Sequence, residues 1–435
     1  MKINNLSKSR TRVLVENVLA SLLTRASNLI ATLILVPISL YALGVDGYGV
    51  VAAAISFSIF FNYSDLGLGA AVVKCVSCIS DEKSKLEAQT VISNAWFFLL
   101  LVGILVSFII FIVDAFFISN EVYSGALLAC IFVAIGLPFG LYGRVLFALQ
   151  KNLEAGLWQT GSKFLSILAI WLFSFFYKIN VVFYLVIFFG VPLLVNVIAS
   201  FIIFSKRYKF IAPKYSLLNL LKVKDVIYTG IFFTILQISP YIESGIDSLF
   251  LSFKYESNFI AAYDIYFKLF LYIPALVSIG AFPLWPAISR ALAENDLKWI
   301  SNLKLKSYSI FISISVLTSM LFYFYSEFIV YHWAKNKIIL DKEIILCMAF
   351  FSVGNSLALI QSMFLNGFGL IRQQAFFYLK YLFLLLLIKI SSLYFLSASY
   401  MVLLLAILVW IKVVLIEINS KKWIKLRLNN GEKNV

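Results

Sequence analysis

The chain reads as an all-α integral membrane protein, with about twelve transmembrane helices arranged as two six-helix halves. Three observations predict this. Hydrophobic residues make up 62% of the 435 and charged residues 13%, with a mean hydropathy of +0.96. Soluble domains carry about 25% charge. About twelve apolar runs reach the roughly 20 residues that cross a bilayer. The cations alternate in position. Roughly five Lys and Arg fall in the odd-numbered connections, about 24 in the even-numbered ones and the tails, and about seven within spans. By the positive-inside rule both termini are cytoplasmic, and an even number of spans agrees. The net charge of +15 is therefore a topology signal and not a nucleic-acid signal.

The expected spans are about 18–42, 48–72, 90–113, 124–148, 157–177, 181–204, 226–252, 259–289, 307–331, 344–366, 374–396 and 400–418. The first apolar run is too long for a signal-peptide core and lacks a cleavage site. Residues 1–204 form the expected N-terminal bundle, 205–225 a basic cytoplasmic linker, and 226–435 the C-terminal bundle with a basic tail.

Span one carries Ser21, Arg25, Asn28 and Thr32, a polar stripe on one helix face. Arg25 lies about two turns inside the boundary, so an interior cavity is favoured over snorkelling. ALGVDGYG comes next, a tight turn around Gly44, Asp46 and Gly47. Span two repeats the striping with Ser58, Asn62, Asp65 and Gly69. Asp65 suits a gate or a helix-packing contact equally. The connector from Lys74 to Gln89 mixes both charges and reads as solvated. Arg144, near the end of span four, is close enough to the interface to snorkel. Gln159, Lys163 and Ser166 share a face of span five.

The most basic connector, Lys206 to Lys224, links the halves and suits the anionic inner leaflet. Beyond it, the seventh span, GIFFTILQISPYIESGIDSLFLSF, carries Pro240, Glu243 and Asp247. A carboxylate in hydrocarbon costs several kcal/mol, which makes it a functional-site candidate by default. Gln237, Pro240, Ser244 and Asp247 lie along one helix face, with Glu243 bordering it. The structural alternative is a paired carboxylate that only locks two helices together. Span eight is long and broken by Pro274, Pro283 and Pro286. Its Asp264 and Lys268 are one turn apart, which favours an intrahelical pair and allows a network with Glu243 and Asp247. Span ten places Asn355, Ser362 and Asn366 on one face. Lys389 and Lys412 are expected near span ends, snorkelling.

The two halves look like repeats. Each has a span, a short turn, a span, a charged loop and four further spans. FALQKN at the end of span four is answered by FLNGFG at the end of span ten, and Lys163 by Lys380 in span eleven. Parallel repeats place a substrate site at their interface.

Enzyme chemistry finds little support. Cys75 and Cys78 form a lone CxxC, Cys130 and Cys347 are isolated, and His332 falls on the other side of the membrane, so no metal site is expected. His332 sits between Tyr331 and Trp333, which reads as an interfacial aromatic belt. No nucleophile–base pair, phosphate loop or nucleotide motif is present.

ALGVDGYG, YSDLGLG, IESGIDSLFLS and FPLWPAISRALAENDLK resemble the polysaccharide and O-antigen flippases (Wzx type). These belong to the multidrug/oligosaccharidyl-lipid/polysaccharide exporter superfamily. The resemblance runs over essentially the whole chain. It implies two six-helix bundles around a central cavity that opens alternately to each side. The implied substrate is an undecaprenyl-pyrophosphate-linked glycan, moved across a bacterial inner membrane. Polysaccharide polymerase and chain-length regulator are the implied protein partners, in a lipid bilayer and without a cofactor. Arg25 and Asp247 match the family's cavity cation and span-seven aspartate; Lys163, Lys268 and Lys380 match by type and span.

On this reading the cations Arg25, Lys163, Lys268 and Lys380 meet pyrophosphate. Asp247, Glu243, Asp264 and Asp65 serve ion coupling or gating, with H+ or Na+ as the ion. Asn28, Asn62, Gln159, Gln237, Ser244 and Asn355 are the cavity polar groups. Other readings are a multidrug or small-solute antiporter of the same superfamily, a lipid II flippase, and an assembly factor that moves nothing. A cationic drug would prefer an anionic or aromatic pocket, which the cations oppose. A scaffold needs no polar stripes. Lipid II flippases usually have two further helices.

Overall fold

The computed structural model describes residues 10–62, 68–77, 79, 81–117, 121–217, 232, 234–236, 238–335 and 338–432. Every regular element among them is helical. The α-helices are α1 (Arg10–Asn62), α2 (Leu68–Ser77), α3 (Glu82–Phe117), α4 (Glu121–Gly136), α5 (Leu141–Ala148), α6 (Asn152–Phe176) and α7 (Val181–Ile202). After these come α8 (Asp247–Ser252), α9 (Ser257–Ala281), α10 (Leu284–Ala293), α11 (Leu297–Ala334), α12 (Lys342–Gly367), α13 (Ile371–Phe395) and α14 (Ala398–Glu432). The chain divides into two compact units, Met1–Thr234 and Ile235–Val435.

Nine helices among the described residues are long and apolar enough to cross a membrane, and one bent pair makes a tenth candidate. The first of these, Leu22–Ser58, holds spans one and two. Its two parts meet at Gly44, whose φ of 71° and ψ of −177° interrupt the helix. A Cβ disfavours that conformation, so the expected turn falls on the residue able to adopt it. Residues 226–231, 233 and 237 of span seven lie outside the described residues.

Unit one packs α1 against α4 and α6, α3 against α4, and α6 against α7. One apolar cluster joins Val51, Ala54, Ile170, Tyr184 and Leu185. Beside it Ser39 Oγ and Tyr184 OH are 2.6 Å apart. Span four is bent by 48° between Leu127–Gly136 and Pro138–Ala148. Pro138 has no N–H to continue the ladder, which is a sufficient cause for the bend.

The start of the basic connector is docked on unit one. Ile203, Phe204 and Ile211 are buried with Ile92 and Leu146. Gln89 Nε2 donates to Ala212 O at 2.9 Å, and Lys214 N donates to Ser93 Oγ at 2.9 Å. Arg207 pairs with Glu154. Residues 218–231 lie outside the described residues.

Unit two packs α12 against α9, α10, α11 and α14. Span eight breaks at Phe282 and Pro283, between α9 and α10. Pro274 stays inside α9 and Pro286 in the first turn of α10, so Pro283 marks the break. Spans nine and twelve are longer than expected. α11 begins at Leu297, and α14 carries the basic tail as helix to Glu432.

Large apolar side chains remain exposed along outer faces. Leu317, Leu321, Phe324 and Phe328 on α11 are 67%, 51%, 70% and 63% exposed at i, i+4, i+7, i+11. A stripe of that size needs hydrocarbon to cover it. The chain is a multi-pass membrane protein.

Candidate functional site

The buried charges of unit two converge on one place. After Pro240 the chain takes a π-helical turn, Tyr241–Gly245, and breaks at Ile246 (φ −97°, ψ 2°). Gly245 is needed there, because a Cβ would run into the Tyr241 ring. α8 then starts at Asp247. Glu243 and Asp247, four residues apart on either side of the break, both point into the bundle, 2% and 1% exposed.

Two lysines meet them. Lys389 Nζ lies 2.5 Å from Asp247 Oδ1 and donates to the carbonyls of Ile242 (2.7 Å) and Glu243 (3.0 Å). An ammonium has three hydrogens, and three acceptors surround it. Lys412 Nζ spans the Glu243 carboxylate, 2.6 Å to Oε1 and 2.7 Å to Oε2. It also lies 5.1 Å from the Tyr381 ring centroid and 5.7 Å from that of Tyr378. Two tyrosines complete the carboxylate shells. Tyr263 OH donates to Asp247 Oδ2 at 2.9 Å, and Tyr381 OH to Glu243 Oε1 at 2.7 Å.

Four separate helical elements supply the groups. The broken seventh span brings the carboxylates, α9 brings Tyr263, α13 brings Tyr381 and Lys389, and α14 brings Lys412. Tyr381, Leu385 and Lys389 are spaced i, i+4, i+8, so one stripe of α13 faces the carboxylates. Two carboxylates and two ammoniums sum to zero charge. That neutrality and the filled hydrogen-bond shells allow such groups to sit in a dry interior. The arrangement holds three helices on the broken seventh span.

This overturns several expectations. Lys389 and Lys412 do not snorkel: they are 0% and 1% exposed and ion-paired. Lys268 does not join Asp247; it makes the intrahelical pair that its spacing favoured, with Asp264 at 2.5 Å within α9. Ser244 is bonded to Pro240 O at 3.1 Å within its own turn and is not part of the Asp247 shell. The expected single face through Pro240, Ser244 and Asp247 assumed an unbroken α-helix, which the π turn removes. Lys380 is exposed, between exposed Leu379 and Phe383. Nine residues separate it from Lys389, about two and a half turns, so the two lie on opposite sides of α13.

Unit one holds a smaller polar contact. Lys163 Nζ on α6 donates to Asn28 Oδ1 on α1 at 2.7 Å, and Asn28 Nδ2 donates to Thr24 O at 2.9 Å. Thr32 Oγ1 bonds back to Asn28 O at 3.0 Å. Arg25 is half-buried in the same stretch of α1. Gln159 is exposed on α6, and Asn355 is half-buried on α12. Asp65 and Gln237 lie outside the described residues, as do the side chains of Ser21 and Asn62.

The tyrosines and the two lysines were absent from the expected site. One signal was available. Lys412 sits in VWIKVVLI, apolar on both sides.

The sequence profile of the polysaccharide biosynthesis protein family matches residues 14–292. No curated protein matches the chain. The fold is similar to that of a multidrug resistance MATE family transporter of the MOP superfamily in its inward-facing conformation. The TM-score is 0.71 at 13% identity, over 94% of this chain and 99% of that one. A MOP superfamily transporter from Pyrococcus furiosus gives 0.64 at 12% identity, over 96% of each chain. An outward-facing MATE family transporter gives 0.60 at 13% identity, over 98% of this chain and 97% of that one. At these identities the likeness is one of fold. The profile match covers more than half of the chain, which belongs to the polysaccharide biosynthesis protein family.

Proposed function

We propose that this transporter flips an undecaprenyl-pyrophosphate-linked oligosaccharide, an O-antigen or similar repeat unit, from the cytoplasmic to the periplasmic leaflet by ion-coupled alternating access. The observation that carries this reading is the polysaccharide-biosynthesis profile on a chain with a transporter's fold. Such a substrate has a tail that can stay in lipid and a polar head that cannot cross hydrocarbon unaided. Pyrophosphate calls for cations, and arginine and lysine serve it differently, by paired contacts and as a point charge. Arg25 and the exposed Lys163, held by Asn28 on the same stretch of α1, suit an anionic head better than a cationic drug.

The charge-neutral group of Glu243, Asp247, Lys389 and Lys412 is the proposed coupling element. A membrane potential acts with about 2.3 kcal/mol per charge per 100 mV. That would contribute to moving a proton or Na+ on and off a carboxylate whose ammonium partner shifts. The proposed setting is a bacterial inner membrane, with both termini cytoplasmic and a polysaccharide polymerase and chain-length regulator as partners. No catalytic role is assigned to any residue.

The test is translocation of a fluorescent undecaprenyl-pyrophosphate oligosaccharide in proteoliposomes under an imposed H+ or Na+ gradient. Gradient-dependent loss of the outer-leaflet label is expected. Efflux of cationic drugs without oligosaccharide movement would replace this reading with the antiporter one, and movement of lipid II alone with the lipid II one.

A further inference from the structure

Unit two also encloses a cavity of about 250 Å³ whose walls include none of the four charges just described. Three helix ends form it: the first turns of α11, the last turns of α12 and the far part of α14. Leu297, Ser301, Lys304 and Tyr308 share one face of α11, at i, i+4, i+7, i+11. Leu365, Phe368 and Ile424 are among the apolar wall residues.

The polar groups of the wall gather around Glu417. Lys304 Nζ donates to its Oε1 at 2.6 Å, and Tyr308 OH to its Oε2 at 3.3 Å. Gln361 Nε2 donates to Val413 O at 2.9 Å and to Glu417 Oε2 at 3.4 Å. These two acceptors decide the amide's orientation, since a flipped amide would set oxygen against oxygen. Gln361 Oε1 is therefore the atom left over. The side chain is 3% exposed, and its Oε1 has no hydrogen-bond partner among the described residues. Native structures seldom leave a buried acceptor so. The wall thus presents one cation, one anion and the hydroxyl of Ser301, with the buried spare acceptor of Gln361 beside Glu417, while Ser420 Oγ donates to Glu417 O at 2.9 Å.

Helix length sets its level in the membrane. At 1.5 Å per residue the 38 residues of α11 span about 57 Å, more than the roughly 40–45 Å of a bilayer with its headgroups. The first turns carry Lys298, Lys304 and Lys306, while the apolar run comes later. The cavity therefore sits at headgroup level.

We propose that this cavity binds the head of a zwitterionic aminophospholipid. The primary ammonium donates to Glu417 and to Gln361 Oε1, and the phosphate accepts from Lys304 and Ser301. The acyl chains leave over Leu297, Leu365 and Phe368. The head enters between Lys304 and Glu417 and replaces one ion pair with two, so no charge is left alone. An anionic lipid would set its phosphate beside Glu417 with no ammonium to offset it. A choline head carries the same charge as ethanolamine but has no N–H to give Gln361.

The test uses the full-length protein in detergent, with phosphatidylethanolamine, phosphatidylcholine and phosphatidylglycerol of matched acyl chains. Retained lipid is counted by native mass spectrometry, and melting is followed in parallel. Phosphatidylethanolamine should be retained at least about fivefold over either of the others, and should raise the melting temperature. Gln361→Met and Glu417→Gln should each bring its retention down to the phosphatidylcholine level. Should Glu417→Gln fold poorly, Leu365→Trp fills the cavity without touching the ion pair and should give the same loss. Equal retention of ethanolamine and choline lipids overturns the proposal. So does phosphatidylglycerol matching phosphatidylethanolamine, since Lys304 would then be reading phosphate alone. An ethanolamine preference that survives in Gln361→Met and Leu365→Trp overturns it as well.

Discussion

Lys389 and Asp247 meet as a fully buried ion pair, Nζ to Oδ1 2.5 Å, although 142 residues of chain separate them. The pair ties α13 to the break in the seventh span. Neither residue can be changed alone without leaving a charge in a low-dielectric interior.

Stability should reveal this first. Asp247→Asn alone and Lys389→Met alone should each cost about 3–5 kcal/mol, because the remaining partner is left unpaired. The double variant should recover most of that loss. Thermal melts in detergent and expression level measure it. A double variant as unstable as the sum of the singles would mean that the two residues do not act as a pair.

Coupling can then be tested on a folded protein. The neutral double variant, Asp247→Asn with Lys389→Met, should keep oligosaccharide translocation downhill but lose its response to an imposed H+ or Na+ gradient. A wild-type response to the gradient would make the pair a structural lock and nothing more. Asp247→Asn by itself is a poor test, since it strands Lys389.

Arg25 is the proposed pyrophosphate contact in unit one. Arg25→Ala should abolish surface polysaccharide without loss of protein, while Arg25→Lys should keep part of it, because lysine supplies charge without the planar fork. Lys163→Ala should weaken export less, since its contact to Asn28 is a single hydrogen bond. Normal export from Arg25→Ala would remove the residue from the site.

Topology is checked independently. Reporter fusions at both termini should report cytoplasm, and fusions in the connections after spans two, six and eight should do the same. A periplasmic C-terminus with a cytoplasmic N-terminus would exclude an even number of crossings.

The sequence by itself determined the class, the approximate spans and the turn at Gly44. Hydropathy and cation placement act locally, and each segment reports its own solvent. It also marked Glu243 and Asp247, since an acid amid apolar residues is visible without any fold. It could not say which cations meet them. Lys268 is four residues from Asp264 and is held there by helical geometry, whereas Lys389 and Lys412 reach the carboxylates only because α13 and α14 pack against the broken span. The helical face expected through Ser244 and Asp247 failed for a related reason. A π turn and a break at Ile246 rotate α8 relative to the helix before Pro240, and that irregularity is stabilised by Lys389 donating to the carbonyls of Ile242 and Glu243. The partner that stabilises the distorted backbone comes from more than 140 residues away, so only the tertiary structure decided both the shape of the seventh span and the charges it faces.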